Sequence, residues 1–192
     1  MKFRSFVALE IPSHVQLEIA SKIAKLVQRY PKPMIRWVEP GNIHLTLCFL
    51  GDRTIEELEF LAYSIYKYIS NNQPFSMRIT RAGTFPKYKN PRVVWVGIEG
   101  PPGLKELQDI TEEISIRNGY VNESKGFSPH LTLGRIGTKG ILPSTKDFLT
   151  DLSSISFEST NPINVEEIKI FKSELRSSGP IYNVLFNIPI GK

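Results

Sequence analysis

The sequence lacks the features of a membrane, disulfide-rich or fibrous protein. It has a single cysteine, Cys48, so no disulfide can form within the chain, and the apolar run around Cys48 predicts a buried thiol. No apolar run approaches the roughly 20 residues that a membrane-spanning helix needs. Glu10 and Pro12 interrupt the N-terminal apolar stretch, unlike the core of a signal peptide. We therefore expect a cytoplasmic protein with no membrane partner.

Dense runs of lysine and arginine are also missing, although the net charge is +5. Residues 1–97 hold 14 Lys/Arg against 7 Asp/Glu, whereas residues 98–192 hold 10 against 12. This excess of positive charge in one half is consistent with an anionic ligand. Lysines scattered for solubility would give the same totals, so charge alone leaves both interpretations open.

Strands and helices alternate along the chain, and the elements before and after about residue 100 follow one plan. Helices are predicted over 14–30, from Thr54, over about 103–118 and from Ser144. Strands are predicted over 3–11, 35–38, 43–50, 75–84, 92–98, within 127–135, and near 163–172 and 181–188.

No long linker rich in glycine, serine or proline separates the two halves, so residues 1–192 are expected to form a single domain. The expected fold is α+β and bilobal. It has two pseudo-symmetric lobes around a central groove, and each lobe has a mostly antiparallel sheet and flanking helices.

The strongest feature of the sequence is an internal repeat. His-Leu-Thr-Leu occurs at residues 44–47 and again, 86 residues later, at residues 130–133. Successive side chains of a strand point to opposite faces, so in each copy the histidine and threonine share one face. The leucines would then anchor in a core. If the halves are related by a pseudo-twofold axis, two imidazoles and two hydroxyls meet in one cleft.

This set of side chains suits displacement at phosphorus. Imidazole titrates near neutral pH, so one of His44 and His130 can be a neutral base while the other is a protonated acid. The hydroxyls of Thr46 and Thr132 can donate hydrogen bonds to phosphate oxygens. A metal centre is the competing use, but catalytic zinc generally takes three protein ligands, and the third histidine, His14, opens a helix. We expect no metal and no cofactor.

With these motifs the sequence resembles the 2′-5′ RNA ligase family, also called RNA 2′,3′-cyclic phosphodiesterases, of the two-histidine phosphoesterase superfamily. The resemblance extends over essentially the whole chain. Its segments are 4–9 (RSFVAL), 36–51 with HLTL, 83–86 (GTFP), 92–97 (RVVWVG), 127–135 (FSPHLTLGR) and 172–182.

The resemblance implies hydrolysis of a terminal RNA 2′,3′-cyclic phosphate to a 2′-phosphate without nucleotide cofactor or metal, and we expect the protein to be a monomer. It also implies reversible 2′-5′ joining of tRNA halves in vitro. In this scheme His44 protonates the departing 3′ oxygen and His130 activates water, although the sequence does not orient the substrate and the reverse order stays open. Thr46 and Thr132 would hold the non-bridging phosphate oxygens.

Other candidate contacts each carry an alternative. In a regular strand Arg135 would point away from His130, but a twist or bulge at Gly134 could redirect it to a phosphate; the alternative is a surface salt bridge. Phe6 and Phe85 are candidates for stacking on the terminal base, with burial in the core as the alternative. Trp37 and Trp95 are expected in the core or the groove wall. Four basic residues could contact the RNA backbone or simply be solvated: Arg36, Lys87, Lys89 and Arg92.

Two other functions stay open. The first is a phosphodiesterase acting on another nucleotide, such as ADP-ribose cyclic phosphate or 2′-5′ oligoadenylate. The second is a non-catalytic RNA- or nucleotide-binding module on the same fold, against which the intact His–Thr pairs argue.

Overall fold

Nine strands and four helices cover most of the residues that the computed structural model describes, which are 1–87, 90–120, 126–137, 142–157, 162–176 and 179–191. The strands are Lys2–Glu10 (β1), Ile35–Trp37 (β2), His44–Thr54 (β3), Phe75–Phe85 (β4), Val93–Glu99 (β5), His130–Ile136 (β6), Ile163–Val165 (β7), Glu167–Arg176 (β8) and Gly179–Pro189 (β9). The helices are Ser13–Arg29 (α1), Ile55–Ile69 (α2), Pro102–Arg117 (α3) and Thr145–Ser153 (α4).

The strands pair antiparallel in the order β7-β4-β5-β6-β3-β1-β8-β9, and β2 also pairs with β6. The two halves of the sheet meet at one residue pair, Leu45 opposite Leu131, and both leucines are fully buried. Beyond that pair β6 continues against β2 rather than β3, with Trp37 opposite Gly134. The α+β, two-lobed architecture is therefore confirmed, and its two sheets are joined at a single point.

The two lobes exchange elements between the sequence halves. Lobe A contains β1, β3, β8 and β9 with α2 and α3, whereas lobe B contains β2 and β4–β7 with α1 and α4. Helix α1 lies in lobe B because its last residues pack on α4: Tyr30 donates a hydrogen bond to Asp151 and its ring meets Phe148 edge-on. Helix α3, from the second half, packs on α2 and β3. Neither half of the sequence completes a lobe alone.

The predicted strand near 163–172 is two strands. β7 pairs with β4 in lobe B, and after Glu166 the chain enters β8, which pairs with β1 in lobe A. The buried positions are 163 and 165 in β7 but 168 and 170 in β8, so the alternation shifts by one residue where the chain crosses between the lobes. At the start of α2 the predicted capping box is confirmed, since the Thr54 hydroxyl accepts from the Glu57 amide and the Glu57 carboxylate accepts from the Thr54 amide.

Apolar side chains form a main core between the sheet and the helices, and a second, smaller cluster lies apart from it. The smaller cluster contains Phe6, Ala8 and Phe171 with Tyr182 packed against it. Phe6 and Ala8 stand opposite Phe49 and Thr46 on β3, so this cluster shares the face on which the first His–Thr pair lies. Among the described helices, none combines the length and apolar character required to cross a membrane.

Candidate active site

Both His-Leu-Thr-Leu segments lie in strands with the predicted alternation. In β3 the side chains of His44 and Thr46 are half-buried while Leu45 and Leu47 are buried in the main core. In β6 the same pattern recurs over residues 130–133. The repeat therefore places two His–Thr pairs on the face opposite the main core, one from each lobe.

The two imidazoles are anchored in the same way. His44 Nδ1 lies 2.7 Å from the carbonyl oxygen of Asn42, and His130 Nδ1 lies 2.7 Å from that of Ser128. A carbonyl can only accept, so Nδ1 carries the proton in both rings. Each Nε2 is then a proton acceptor in the neutral ring and a donor in the charged ring, which is what general base and acid catalysis need.

His44 is enclosed by three aromatic rings of lobe A. Phe6 stacks on it with ring centroids 4.7 Å apart, Tyr182 meets it edge-on at 5.1 Å, and Phe171 lies at 6.3 Å. Burial lowers the pKa of His44 below its ordinary value, the hydrogen bond to the Asn42 carbonyl opposes this, and the charge of His130 lowers the pKa further. The two histidines are thus close enough to interact electrostatically.

His130 has a different aromatic neighbourhood in lobe B. Phe85 meets it edge-on with centroids 5.1 Å apart, and Trp95 lies at 6.4 Å. A Cβ at Gly83 would stand 2.5 Å from the indole ring of Trp95, so glycine is required there for the indole to lie flat on β4. Trp95 therefore belongs to the groove wall, one of the two predicted locations, and its buried Nε1 has no hydrogen-bond partner among the described residues.

A bulge in β6 redirects Arg135, as the glycine at 134 suggested. Val94 lies opposite Gly134 but Trp95 lies opposite Thr132, so Leu133 is an extra residue without a partner on β5. The next core residue after Leu133 is Ile136, which leaves Arg135 on the Thr132 face. Its positive charge also reaches Tyr182, whose pKa is raised by burial and lowered in part by Arg135.

The same bulge occurs in β3 with a different outcome. Val7 lies opposite Cys48 but Ala8 lies opposite Thr46, so Leu47 is the extra residue. The position equivalent to Arg135 is Phe49, which is 67% exposed and lies 6.2 Å from the Phe6 ring. Sequence reasoning missed Phe49, although its place five residues after His44, like that of Arg135 after His130, was a usable signal.

The two phenylalanines proposed for base stacking are placed differently. Phe6 is only 4% exposed and its ring is packed against His44 and Phe171, so the core alternative describes it and no ring face is open to a base. Phe85 is half-buried beside His130. Phe171 was missed, yet it follows Phe85 by the 86 residues that separate the histidines. Tyr182 could be located only in three dimensions.

The basic residues proposed to contact the RNA backbone lie in different surroundings. Arg36 lies directly opposite Arg135 in the β2–β6 pairing, and both side chains are exposed. Lys87 and Arg92 are exposed, and Lys89 lies outside the described residues.

Across the described ranges, His, Cys, Asp and Glu side chains form no group of three or more that could hold a metal ion. His14 is exposed near the start of α1, as expected.

Two lobes that each contribute a His-x-Thr strand, with no hydrogen bond to either Nε2 from the described residues, define a two-histidine phosphoesterase. The chain belongs to the LigT-like phosphoesterase family, since the family described as "LigT like Phosphoesterase" matches residues 9–95 and again 96–182. The two matches divide the chain close to residue 100 and confirm the internal repeat.

Related proteins are similar over almost their full length. The RNA 2′,3′-cyclic phosphodiesterase of Aquifex aeolicus is 32% identical over 98% of this chain and 97% of its own. That of Methanothermobacter thermautotrophicus is 31% identical over 95% and 96%. Among solved structures, Escherichia coli LigT complexed with 3′-AMP superposes with a TM-score of 0.75 at 24% identity, covering 99% of both chains. A Thermus thermophilus protein gives 0.74 at 27% identity, covering 97% of both chains.

Proposed function

We propose that this protein opens the 2′,3′-cyclic phosphate at RNA ends and leaves a 2′-phosphate. The observation that supports this best is the matched pair of imidazoles. Each has Nδ1 bound to a backbone carbonyl and Nε2 without a hydrogen bond from the part of the chain that the structure describes. Relatives about 30% identical over nearly the whole chain bear the name of this activity.

In the proposed reaction the Nε2 of His130 takes a proton from water as the water oxygen bonds to phosphorus. The bond between phosphorus and the 3′ oxygen breaks, and the protonated Nε2 of His44 gives its proton to that oxygen. Thr46 and Thr132 donate hydrogen bonds to the non-bridging oxygens, on which negative charge increases. The lowered pKa of His44 makes it a stronger acid but also favours its neutral form at pH 7, so the reverse assignment needs a direct test.

A substrate with sulfur at the leaving 3′ position distinguishes the two assignments. A thiolate leaves without a proton, so a variant that lacks the general acid should recover activity on this substrate while one that lacks the base should not. We expect recovery for His44→Ala and none for His130→Ala. Recovery of His130→Ala alone would reverse the two roles.

We further propose that Arg36 and Arg135 bind a backbone phosphate of the RNA. Like charges directly opposite each other in neighbouring strands are destabilising, and neither arginine has an ion-pair partner in the part of the chain that the structure describes. A phosphate between them would relieve this repulsion. Arg36→Gln should then raise KM for an oligonucleotide several-fold but leave a cyclic mononucleotide unaffected, whereas an equal effect on both would contradict the proposal.

The whole chain is proposed to act as one bilobal domain, because each lobe is completed by elements of the other half. We also propose a cytoplasmic monomer that can join tRNA halves through a 2′-5′ bond when a 5′-hydroxyl replaces water.

The deciding experiment is hydrolysis of a short RNA that ends in a 2′,3′-cyclic phosphate, in excess chelator, with identification of the product. A 2′-phosphate formed by the wild type and lost in both histidine variants supports the proposal. Binding without turnover would favour a non-catalytic module. Turnover only of ADP-ribose cyclic phosphate or 2′-5′ oligoadenylate in a parallel panel would reassign the substrate, and loss of activity with chelator alone would indicate a metal requirement.

A further inference from the structure

Asn42 makes two contacts that point in different directions. Its backbone carbonyl accepts the hydrogen bond from His44 Nδ1, at 2.7 Å. Its side-chain Nδ2 donates to the carbonyl of Pro180, at 2.8 Å, in a strand 138 residues further along the chain. One residue therefore connects the anchored imidazole to the β8–β9 hairpin.

That hairpin brings two of the three aromatic rings that enclose His44. Phe171 lies on β8 and Tyr182 on β9, and the two strands are paired from Glu167–Pro189 to Arg176–Gly179. Tyr182 follows Pro180 by two residues. A bond that fixes Pro180 therefore also fixes where the Tyr182 ring meets the imidazole.

Lobe B has the same backbone anchor without this attachment. The residue equivalent to Asn42 is Ser128, 86 residues later, and its carbonyl accepts from His130 Nδ1 at 2.7 Å. The Ser128 side chain is exposed and donates no hydrogen bond to another strand among the described residues. The second contact of Asn42 thus serves something other than the tautomer of the histidine.

We propose that Asn42 is a positioning residue for His44, whose side chain fastens the β8–β9 hairpin over lobe A and holds Tyr182 against the imidazole. The proposal deepens the proposed function, because it explains how one of the two catalytic imidazoles is kept less hydrated than its partner. The claim that Asn42 fixes the hairpin and Tyr182 against His44 does not depend on which substrate the enzyme uses.

Several charged or titratable groups face His44 and remain in Asn42→Ala and in Ser128→Ala. Glu10 of β1 lies opposite His44 and pairs with Lys169 of β8, and His130 of β6 acts on it across the groove. Tyr182 of β9 has a raised pKa and stays neutral over the range in which imidazole titrates. Loss of the Asn42 side chain removes no charge, so a change in His44 titration reports hydration of the ring.

The test is an NMR titration of the labelled histidines in Asn42→Ala and in its matched control, Ser128→Ala. In Asn42→Ala we expect the pKa of His44 to rise toward the ordinary value of about 6.5, since burial is what lowers it. The His130 curve should stay unchanged and so verify that lobe B is folded. Ser128→Ala should leave both curves as in the wild type, because its backbone carbonyl is retained.

A double variant tests whether Asn42 acts through the hairpin. Tyr182→Ser should raise the pKa of His44 in the same direction, and Asn42→Ala combined with Tyr182→Ser should shift it no further than the larger single change. On substrate, Asn42→Ala should lower kcat about tenfold, as for one lost hydrogen bond, with little change in KM.

The outcomes keep the two proposals apart. A His44 curve identical to wild type in Asn42→Ala overturns the positioning role even if the enzyme hydrolyses cyclic phosphates. Equal shifts of both histidines, or additive shifts in the double variant, would also overturn it, since they indicate a general loosening. If the wild type hydrolyses no cyclic phosphate but His44 alone shifts, the positioning role stands and only the proposed function fails.

Discussion

Lobe A and lobe B present the same His-x-Thr strand to the groove but surround it with different side chains. Opposite Thr46 stands Ala8, whereas opposite Thr132 stands Trp95. Ala8 leaves room for the Phe6 ring to reach His44, while Trp95 fills the corresponding space beside His130. The duplicated backbone therefore holds two chemically different half-sites.

A second pair of equivalent positions differs in charge. The bulges after Thr46 and Thr132 turn Phe49 and Arg135 toward the same face as the histidines. One half-site thus offers an exposed aromatic ring and the other a guanidinium. Acid–base catalysis by two identical groups needs environments that separate their proton affinities, and burial of His44 among the aromatic rings of lobe A lowers its pKa.

Removal of either imidazole should have the largest effect on catalysis by the two half-sites. His44→Ala and His130→Ala should each lower kcat by about 10²–10⁴-fold, the usual contribution of a general acid or base. Their combination should cost much less than the product of the two losses, because the groups act together. Single-turnover hydrolysis of the cyclic-phosphate RNA measures this, and a loss confined to one histidine would break the two-half-site picture.

The second-largest effect should come from weakening the contact between the two lobes. Leu131→Ala removes a fully buried side chain at the only β3–β6 pair in the described sheet, and should lower the free energy of unfolding by about 2–5 kcal/mol. Leu152→Ala, in α4 of lobe B, is the matched control, since Leu152 is also buried.

The two leucine variants should differ in catalysis. Denaturant titration should show comparable destabilisation, but kcat at a temperature where both are folded should fall only in Leu131→Ala, because the distance between the half-sites changes. Equal kcat in the two variants would mean that the junction does not set that distance.

Substitution of each threonine by valine compares the two half-sites while the shape of the side chain is kept. Thr46→Val and Thr132→Val keep the branched side chain and remove the hydroxyl, so each should lower kcat about ten- to hundredfold, as for a hydrogen bond to a charged group. A circular dichroism spectrum and melting curve like those of the wild type would exclude misfolding. Unchanged kcat in one variant would assign the phosphate oxygens to the other lobe alone.

The pH dependence of stability should show the smallest difference. The pKa of His44 is lowered by burial, so at low pH the unfolded chain binds a proton that the folded chain resists. The contribution is complete above the unfolded value of about 6.5 and is lost as pH falls toward the folded value. Urea titrations between pH 7.5 and 5 should therefore give a smaller loss of unfolding free energy in His44→Gln than in the wild type. If both proteins lose the same unfolding free energy over this pH range, the pKa of His44 is not depressed.

Much of the site followed from strand periodicity and the 86-residue spacing. The alternation of His44, Leu45, Thr46 and Leu47 could be read directly, because side chains of a strand alternate whatever the tertiary fold. The sequence left a bulge near Gly134 possible, and the structure has one there with Leu133 as the extra residue. The sequence left Phe6 open between base stacking and burial, because the neighbour that covers it, Phe171, is 165 positions away in sequence.

The sequence by itself determined the repeat, the strands that carry both His–Thr pairs, and the α+β class, because these depend on residue periodicity and short-range geometry. Tertiary structure alone decided which lobe each strand joins, that the β8–β9 hairpin reaches Asn42, and that His44 is more enclosed than a single His-x-Thr motif suggests. Those outcomes depend on contacts between residues that are distant in sequence, such as Asn42 and Pro180, which are 138 positions apart. Such contacts are determined by packing of the whole chain rather than by any local pattern.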